Sequence, residues 1–157
     1  MMPQRLDHLV LDLQLRYARA IDEGELERWP EFFVEDCRYR ITHRADLAEG
    51  LPVGIIYADS QAMLRDRVSS LREANVYEAQ AYRHILSPPL VLEVGERAVR
   101  AETSFLVVRI MGDGESSLFA SGVYRDRIER RGDRLRFLER LVVLDSRRID
   151  TLLAIPI

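Results

Sequence analysis

The sequence has only one cysteine, three histidines and no lysine among its 157 residues. A lone cysteine, Cys37, excludes an internal disulfide framework and is typical of a reducing compartment, so we expect a cytoplasmic protein. No apolar run approaches the roughly 18 residues that a membrane-spanning helix needs. The first eight residues lack the layout of a signal peptide.

The histidines, His8, His43 and His84, lie far apart, and none has a second histidine three to five residues away. This spacing gives little support to a metal site, which needs converging ligands. The sequence also lacks a nucleophile-elbow motif, a P-loop and a Gly-x-Gly-x-x-Gly motif. The pattern therefore excludes the common nucleotide-binding signatures.

Composition predicts one globular domain over residues 1–157, because 47% of the residues are hydrophobic and 31% are charged. The net charge of −3 is too small to indicate binding to nucleic acid or to an anionic membrane. All 23 basic residues are arginine. One explanation of this bias is a GC-rich genome, which favours arginine codons. Another is extensive contact between subunits, because protein interfaces are enriched in arginine and depleted in lysine.

The periodicity of apolar residues predicts helices in the first half of the chain. Steps of three and four between residues 6 and 21 predict an amphipathic helix that stops at Gly24. A third helix is predicted over residues 60–74, with Asp59 or Ser60 as its N-cap.

Between these two helices, residues 25–33 predict a short second helix, in which Pro30 is tolerable only near the first turn. Residues 36–42 predict a strand, and residues 44–54 predict a loop. We expect three aromatic side chains of this region in the core: Trp29, Phe32 and Phe33.

From residue 79 onward the sequence predicts strands. Apolar, β-branched and alternating runs cover residues 91–93, 98–111, 118–128 and 135–144. Glycine-containing turns at residues 112–114 and 131–133 separate the last three runs and favour hairpins. Helices followed by antiparallel strands indicate an α+β fold.

Three side chains are candidates for acid–base chemistry. Glu139 is the ionisable residue on the strand face that carries Phe137, where a carboxylate could act as a base with a raised pKa. The alternative is that it pairs with an arginine or faces a subunit contact. Asp36 is more typical of a turn or cap, and His84 of a hydrogen-bonding structural or interface group.

The order of the elements resembles the cone-shaped fold of the nuclear transport factor family. The opening Tyr17-Ala-Arg-Ala-Ile-Asp-Glu-Gly-Glu-Leu26, followed by Trp29 and Asp36, carries this resemblance. The resemblance implies three N-terminal helices packed on a strongly curved, mostly antiparallel sheet. Members include both enzymes and non-catalytic modules, so the fold alone leaves function open.

Further motifs resemble the small (β) subunits of Rieske-type aromatic-ring dioxygenases. They are Phe119-Ala-Ser-Gly-Val-Tyr-Arg-Asp126, Tyr57-Ala-Asp-Ser-Gln-Ala-Met-Leu64, Leu71-Arg-Glu-Ala-Asn75 and Asp150-Thr-Leu152. Within that family the pattern is most similar to members acting on aromatic carboxylates, terephthalate above all. Ile157 stands where we expect leucine, a volume-conserving difference.

The resemblance implies a non-catalytic subunit in a hexamer of three large and three small chains. The large subunit is expected to carry a Rieske [2Fe–2S] cluster and a mononuclear Fe(II), and a reductase to supply electrons from NAD(P)H. One cysteine cannot hold a Rieske cluster, which needs two cysteines and two histidines. No catalytic, cofactor-binding or metal-binding residue is therefore expected here. Expected subunit-contact residues are Arg65, Arg67, Tyr82, Arg83 and His84.

Two other interpretations stay open. The chain could be the small subunit of an anthranilate, salicylate or benzoate hydroxylase. It could also be a self-sufficient cone-fold dehydratase or isomerase, with Glu139 or His84 as the base, or a homo-oligomeric binding module.

Overall fold

Four helical segments are present in the computed structural model, which describes residues 3–50, 55–74, 79–146, 148 and 155–157. They are α1 (Pro3–Asp22), a 3₁₀ helix (Leu26–Phe32), α2 (Arg44–Ala48) and α3 (Gln61–Ala74). The motif residues 75 and 150–152 lie outside the described residues.

Helix α1 ends where the sequence predicts. Gly24 has a φ of 74°, and the N–H of Glu25 donates to the carbonyl of Ala20 at 2.8 Å. This is the left-handed glycine cap that ends many helices. Helix α3 also begins as predicted, because the Ser60 hydroxyl accepts a hydrogen bond from the N–H of Met63 at 3.2 Å.

Two predicted boundaries were wrong. The second helix is a 3₁₀ helix, and Phe33 already belongs to the strand that follows. Within the predicted loop of residues 44–54, the first five residues form α2. A single helical turn is too short to show a helical period, so no pattern in the sequence predicted α2.

The strands form one curved sheet. They are β1 (Phe33–His43), β2 (Ile56–Ala58), β3 (Gln80–Leu86), β4 (Leu90–Val94), β5 (Ala98–Met111), β6 (Ser116–Arg131) and β7 (Arg134–Leu144). Their order is β2-β1-β7-β6-β5-β3, and β4 also pairs with β5. All the described pairings are antiparallel except that of β1 with β7. The predicted α+β cone fold is confirmed.

The sheet has an inner face toward α1 and an outer face on the opposite side. Along β5, Val99, Ala101, Thr103, Phe105 and Val107 are buried on the inner face and alternate with more exposed residues. None of the described helices is long and apolar enough to cross a membrane.

The core lies between the inner face and the helices. Trp29 and Phe33 are fully buried and Phe32 partly so, as predicted. Their rings pack edge to face with Tyr17 and Tyr39, a favoured geometry for aromatic pairs.

Candidate functional site

The interior of the cone contains a buried ion pair that the sequence interpretation missed. The guanidinium of Arg140 donates to both carboxylate oxygens of Asp126, at 2.8 and 2.7 Å, and neither side chain is exposed. The amide of Gln14 donates to Asp126 at 2.8 Å, and its carbonyl oxygen accepts from Arg140. With both oxygens engaged, Asp126 is placed to hold Arg140 rather than to accept a proton from a substrate.

Three aromatic rings surround this guanidinium. Its carbon lies 3.8 Å from the ring centroid of Tyr124, 4.0 Å from that of Phe137 and 4.3 Å from that of Tyr17, within cation–π range. Burial opposes the charge on Arg140, but the carboxylate of Asp126 outweighs it, so the pKa of Arg140 lies above its ordinary value. The arginine therefore stays charged inside the core.

Residue Ile157 fills the interior beside these rings. Its side chain is fully buried, and its carbonyl oxygen accepts hydrogen bonds from the hydroxyls of Tyr39 at 2.7 Å and Tyr17 at 3.1 Å. The indole N–H of Trp29 donates to Tyr17 at 2.9 Å. The space in which a cone-fold enzyme would need converging acid and base groups is thus packed with hydrogen-bonded side chains.

A β-bulge decides which residue of β7 faces inward. Phe137 pairs with Ile128, but the next paired residues are Glu139 and Arg127, so the register shifts at Leu138. Strict alternation predicted Glu139 on the same face as Phe137, and this prediction was wrong. The extra residue reverses the alternation, so that Arg140 points inward and Glu139 outward.

Glu139 lies on the outer face, where it forms an ion pair with Arg38 at 3.5 Å. Its side chain is 43% exposed. Pairing with an arginine was the alternative that the sequence left open for this residue. A half-exposed, paired carboxylate is a poor candidate for the base of an enclosed active site.

His84 forms a buried pair with Asp22 at the end of α1. Its Nδ1 lies 2.6 Å from Oδ1 of Asp22, and its backbone N–H donates to Oδ2 at 2.9 Å. Because the carboxylate only accepts, Nδ1 carries the proton. Within the described part of the chain, Nε2 of His84 has no hydrogen-bond partner. This pair of hydrogen bonds holds the end of α1 against β3.

The remaining candidate residues, Asp36, His8 and His43, give little support to a catalytic or metal-binding site. Asp36 is exposed within β1 rather than in the predicted turn or cap, because the strand begins three residues earlier than predicted. His8 is exposed on α1, and Nδ1 of His43 lies 3.0 Å from the carbonyl oxygen of Ser146. No group of metal-binding side chains is found within the described residues.

The five expected contact residues separate into two groups. Arg65 and Arg83 are exposed and Arg67 is half-buried. Tyr82 and His84 are 3% and 7% exposed and face the inner side of β3. The contact of these five residues with another subunit stays a prediction.

The outer face carries a polar depression of about 430 Å³ across five strands of the sheet and β4. Two cross-strand rows line it. One row runs from Arg38 through Glu139 and Arg127 to Arg100, and the other from Tyr57 through Arg40, Leu141 and Arg125 to Glu102. These rows place five arginines beside two glutamates. Sequence reasoning had not grouped them because they come from four strands, β1, β5, β6 and β7, that are distant in the chain.

The comparisons with known proteins give consistent results. The family model described as ring hydroxylating beta subunit matches residues 16–151. The chain is 48% identical to subunit beta 1 of the terminal oxygenase component of terephthalate 1,2-dioxygenase from a Comamonas species, over 90% of this chain and 92% of that protein. It is 43% identical to the anthranilate 1,2-dioxygenase small subunit of Burkholderia cepacia, over 92% and 90% of the two chains.

Solved structures agree with this assignment. A β subunit assigned to an aromatic-ring-hydroxylating dioxygenase of Novosphingobium aromaticivorans superposes with a TM-score of 0.90 and 36% identity, over 98% of both chains. An NTF2-like protein with a cystatin-like fold from the same species, 22% identical over 87% of this chain and 80% of that one, has a TM-score of 0.64 and shows the fold alone. The chain belongs to the β-subunit family of the ring-hydroxylating dioxygenases.

Proposed function

We propose that this chain is the non-catalytic small subunit of a terephthalate 1,2-dioxygenase. The observation that carries the proposal is 48% identity to such a subunit, spread over 90% of the chain. The packed interior around Arg140 and Ile157 supports a structural role, because its hydrogen bonds hold α1 and the inner face of the sheet together.

In this proposal the chemistry takes place on a large-subunit partner. That partner would hold the Rieske [2Fe–2S] cluster and the mononuclear Fe(II), and a reductase would deliver two electrons from NAD(P)H. Terephthalate and dioxygen would combine with these electrons and two protons to give the cis-dihydrodiol. The small subunit would contribute to a cytoplasmic hexamer of three large and three small chains.

Contact residues on this chain are part of the proposal. Arg65 and Arg67 on α3, and Arg83 on the outer side of β3, lie where a neighbouring subunit could reach them. Tyr82 and His84 lie behind that surface and would support the contact by fixing the position of β3.

Anthranilate is the second candidate substrate, because the Burkholderia cepacia small subunit is 43% identical to this chain. Salicylate and benzoate rank after anthranilate, because only the resemblance of the sequence motifs suggests them. The substrate is selected where the ring meets the iron, on the partner in this proposal, so turnover decides among the four.

The test is co-expression with a Rieske-type large subunit. Light scattering after size-exclusion chromatography should give equal numbers of the two chains, with iron only in complexes that contain the large subunit. With a reductase and NAD(P)H, the complex should convert terephthalate faster than the other three acids. A chain that stays alone, with no large subunit in its peak, would disprove the subunit assignment. Preferred turnover of anthranilate would replace only the substrate.

A further inference from the structure

The inner side of β3 carries three polar residues in a row. Gln80, Tyr82 and His84 alternate with exposed residues along the strand, so their side chains share the inner face. Oε1 of Gln80, the hydroxyl of Tyr82 and Nε2 of His84 are each buried and have no hydrogen-bond partner among the described residues. Buried polar atoms in folded proteins are normally hydrogen-bonded. Three such atoms at consecutive inward positions therefore need an explanation beyond the packing of the chain.

A positive charge and two stacked rings lie beside this row. Arg109 is the direct cross-strand partner of Tyr82. The ring of Phe119 stacks on that of Tyr82, with the centroids 5.2 Å apart. The guanidinium carbon of Arg109 lies 4.9 Å from the centroid of the same Phe119 ring. The cluster thus combines a guanidinium, a hydroxyl donor and aromatic surface.

A β-bulge turns Phe119 toward this cluster. Val107 pairs with Ala120, but the next pair is Val108 with Leu118, so Phe119 is the extra residue of β6. Leu118 is 66% exposed, whereas Phe119 and Ala120 are both buried although they are consecutive. Bulges re-aim a side chain and are frequent next to functional sites. This bulge places Phe119 on the inner face, where the buried part of β6 begins.

His84 supplies a hydrogen-bond acceptor at one end of the row. Its Nδ1–H donates to Asp22, so in the neutral ring Nε2 accepts a hydrogen bond. Val107 and Ala120 follow His84 across the sheet, and both have small side chains. The imidazole centroid lies 6.2 Å from that of Tyr82. Both polar groups are therefore within reach of one small ligand that contains a ring.

We propose that this inner-face cluster binds a small aromatic carboxylate that carries a hydroxyl group. The carboxylate pairs with Arg109, the usual kind of partner for such a group, and accepts a hydrogen bond from Tyr82. The ring lies against Phe119, and the hydroxyl donates to Nε2 of His84. A water molecule would satisfy one polar atom at a time, whereas an aromatic acid also uses the charge and the rings. The inference goes beyond the proposed function, which assigns no ligand to this chain.

The test measures the binding of three probes to the small subunit by NMR titration. The first probe, 4-hydroxybenzoate, carries both groups, whereas benzoate lacks the hydroxyl and phenol lacks the carboxylate. The first probe should bind with a Kd of about 1 mM or lower. Each of the other two should bind at least about fivefold more weakly, because each loses a hydrogen-bonded or charged group.

Substitutions at both ends make the test specific to the cluster. Arg109→Gln removes the charge and should weaken the binding of both carboxylates about tenfold or more. His84→Asn keeps a donor to Asp22 and removes Nε2. It should weaken 4-hydroxybenzoate about fivefold and leave benzoate within about twofold of wild type. Arg83→Gln is the matched control, because Arg83 is exposed on the outer side of the same strand, and it should bind all three probes as the wild type does.

Circular dichroism checks that each variant is folded. If Arg109→Gln is not, Tyr82→Phe takes its place, because it keeps the stacked ring and removes only the hydroxyl. That variant should weaken both carboxylates about threefold or more.

Three results would overturn the inference. They are no binding of 4-hydroxybenzoate at millimolar concentrations, affinities that Arg109→Gln or Tyr82→Phe leaves unchanged, and a loss in His84→Asn that is equal for 4-hydroxybenzoate and benzoate. Because the small subunit is titrated without a large subunit, each of these results leaves the proposed function standing.

Discussion

The carboxylate of Asp126 accepts two hydrogen bonds from the guanidinium of Arg140 at a point where neither side chain is exposed. A buried pair of this kind is weak evidence for net stability, because removing two charges from water costs nearly as much as their attraction returns. Breaking the pair is different, since it leaves one charge buried without a counter-charge.

We therefore expect Asp126→Ala to lower the free energy of unfolding by about 3–5 kcal/mol. The double variant Asp126→Leu/Arg140→Met replaces both charges with apolar groups and should lose less than the single variant. Urea denaturation of the three proteins measures this difference. A double variant that is less stable than Asp126→Ala would show that the pair is net stabilising.

The hydrogen bonds to Ile157 give a second prediction. Tyr39→Phe removes the 2.7 Å bond to the carbonyl oxygen of Ile157 and leaves a buried acceptor with only Tyr17. The expected loss is about 1–3 kcal/mol. Tyr57→Phe is the matched control, because that side chain is 55% exposed and should change the free energy of unfolding by less than about 0.5 kcal/mol.

The sequence was sufficient to predict helices followed by strands, but not the short helix α2 or the short strand β2. Helical periodicity located α1 and α3, and alternation with glycine turns located β5, β6 and β7 within two or three residues. Those signals are local, because each depends on neighbours within one helix or one hairpin.

The interior site could not be predicted, because its residues come together through contacts that are not local in the sequence. The bulge at Leu138 is a property of the pairing between β6 and β7, and no local pattern distinguishes an inward Arg140 from an inward Glu139. Gln14, Asp126 and Arg140 converge from α1, β6 and β7 only in the folded chain. The arginine rows on the outer face depend in the same way on register across five strands.

Gly122 gives a third prediction, because it lies against the backbone of β7, opposite Leu144. A Cβ atom at this position would lie 2.1 Å from the carbonyl oxygen of Val143. Gly122→Ala should therefore destabilise the protein by about 3 kcal/mol or more, through strain in the backbone of both strands.

Gly50→Ala is the control for Gly122→Ala. Gly50 has a positive φ of 69°, but among the described residues no atom beyond its chain neighbours lies within 4 Å of the added Cβ. The Gly50→Ala variant should lose only the about 1–2 kcal/mol of unfolding free energy that a positive φ costs a residue with a Cβ atom. Thermal unfolding distinguishes the two, and equal losses would contradict the steric explanation.

Alkaline pH should destabilise the protein, because the folded state keeps buried cysteine and tyrosine side chains protonated. Burial raises the pKa of the Cys37 thiol to about 11 and holds the pKa values of Tyr39 and Tyr124 well above their ordinary value. These groups stay protonated in the folded state, whereas in the unfolded chain they ionise near pH 8.5 for cysteine and about 10 for tyrosine. Their contribution to the free energy of unfolding is complete below the pKa of the unfolded state. It is lost as pH rises through the pKa of the folded state.

The free energy of unfolding should consequently fall as pH increases above about 9. Urea denaturation at several alkaline pH values measures the fall, and tyrosinate absorbance follows ionisation in parallel. Ionisation of all the tyrosines while circular dichroism remains unchanged would contradict this prediction. The Cys37→Ser variant should show a smaller loss over the first part of the range.

The Asp22–His84 pair separates a structural role from a catalytic one. Asn at position 84 can place its amide nitrogen near the position of Nδ1, so His84→Asn keeps a donor to Asp22 and removes Nε2. In the assembled oxygenase we expect turnover per iron within about twofold of wild type. His84→Ala removes the donor as well and should lower the free energy of unfolding by about 1–3 kcal/mol. A large loss of turnover in His84→Asn, with unchanged assembly and iron content, would instead identify Nε2 as a base and favour the cone-fold enzyme interpretation.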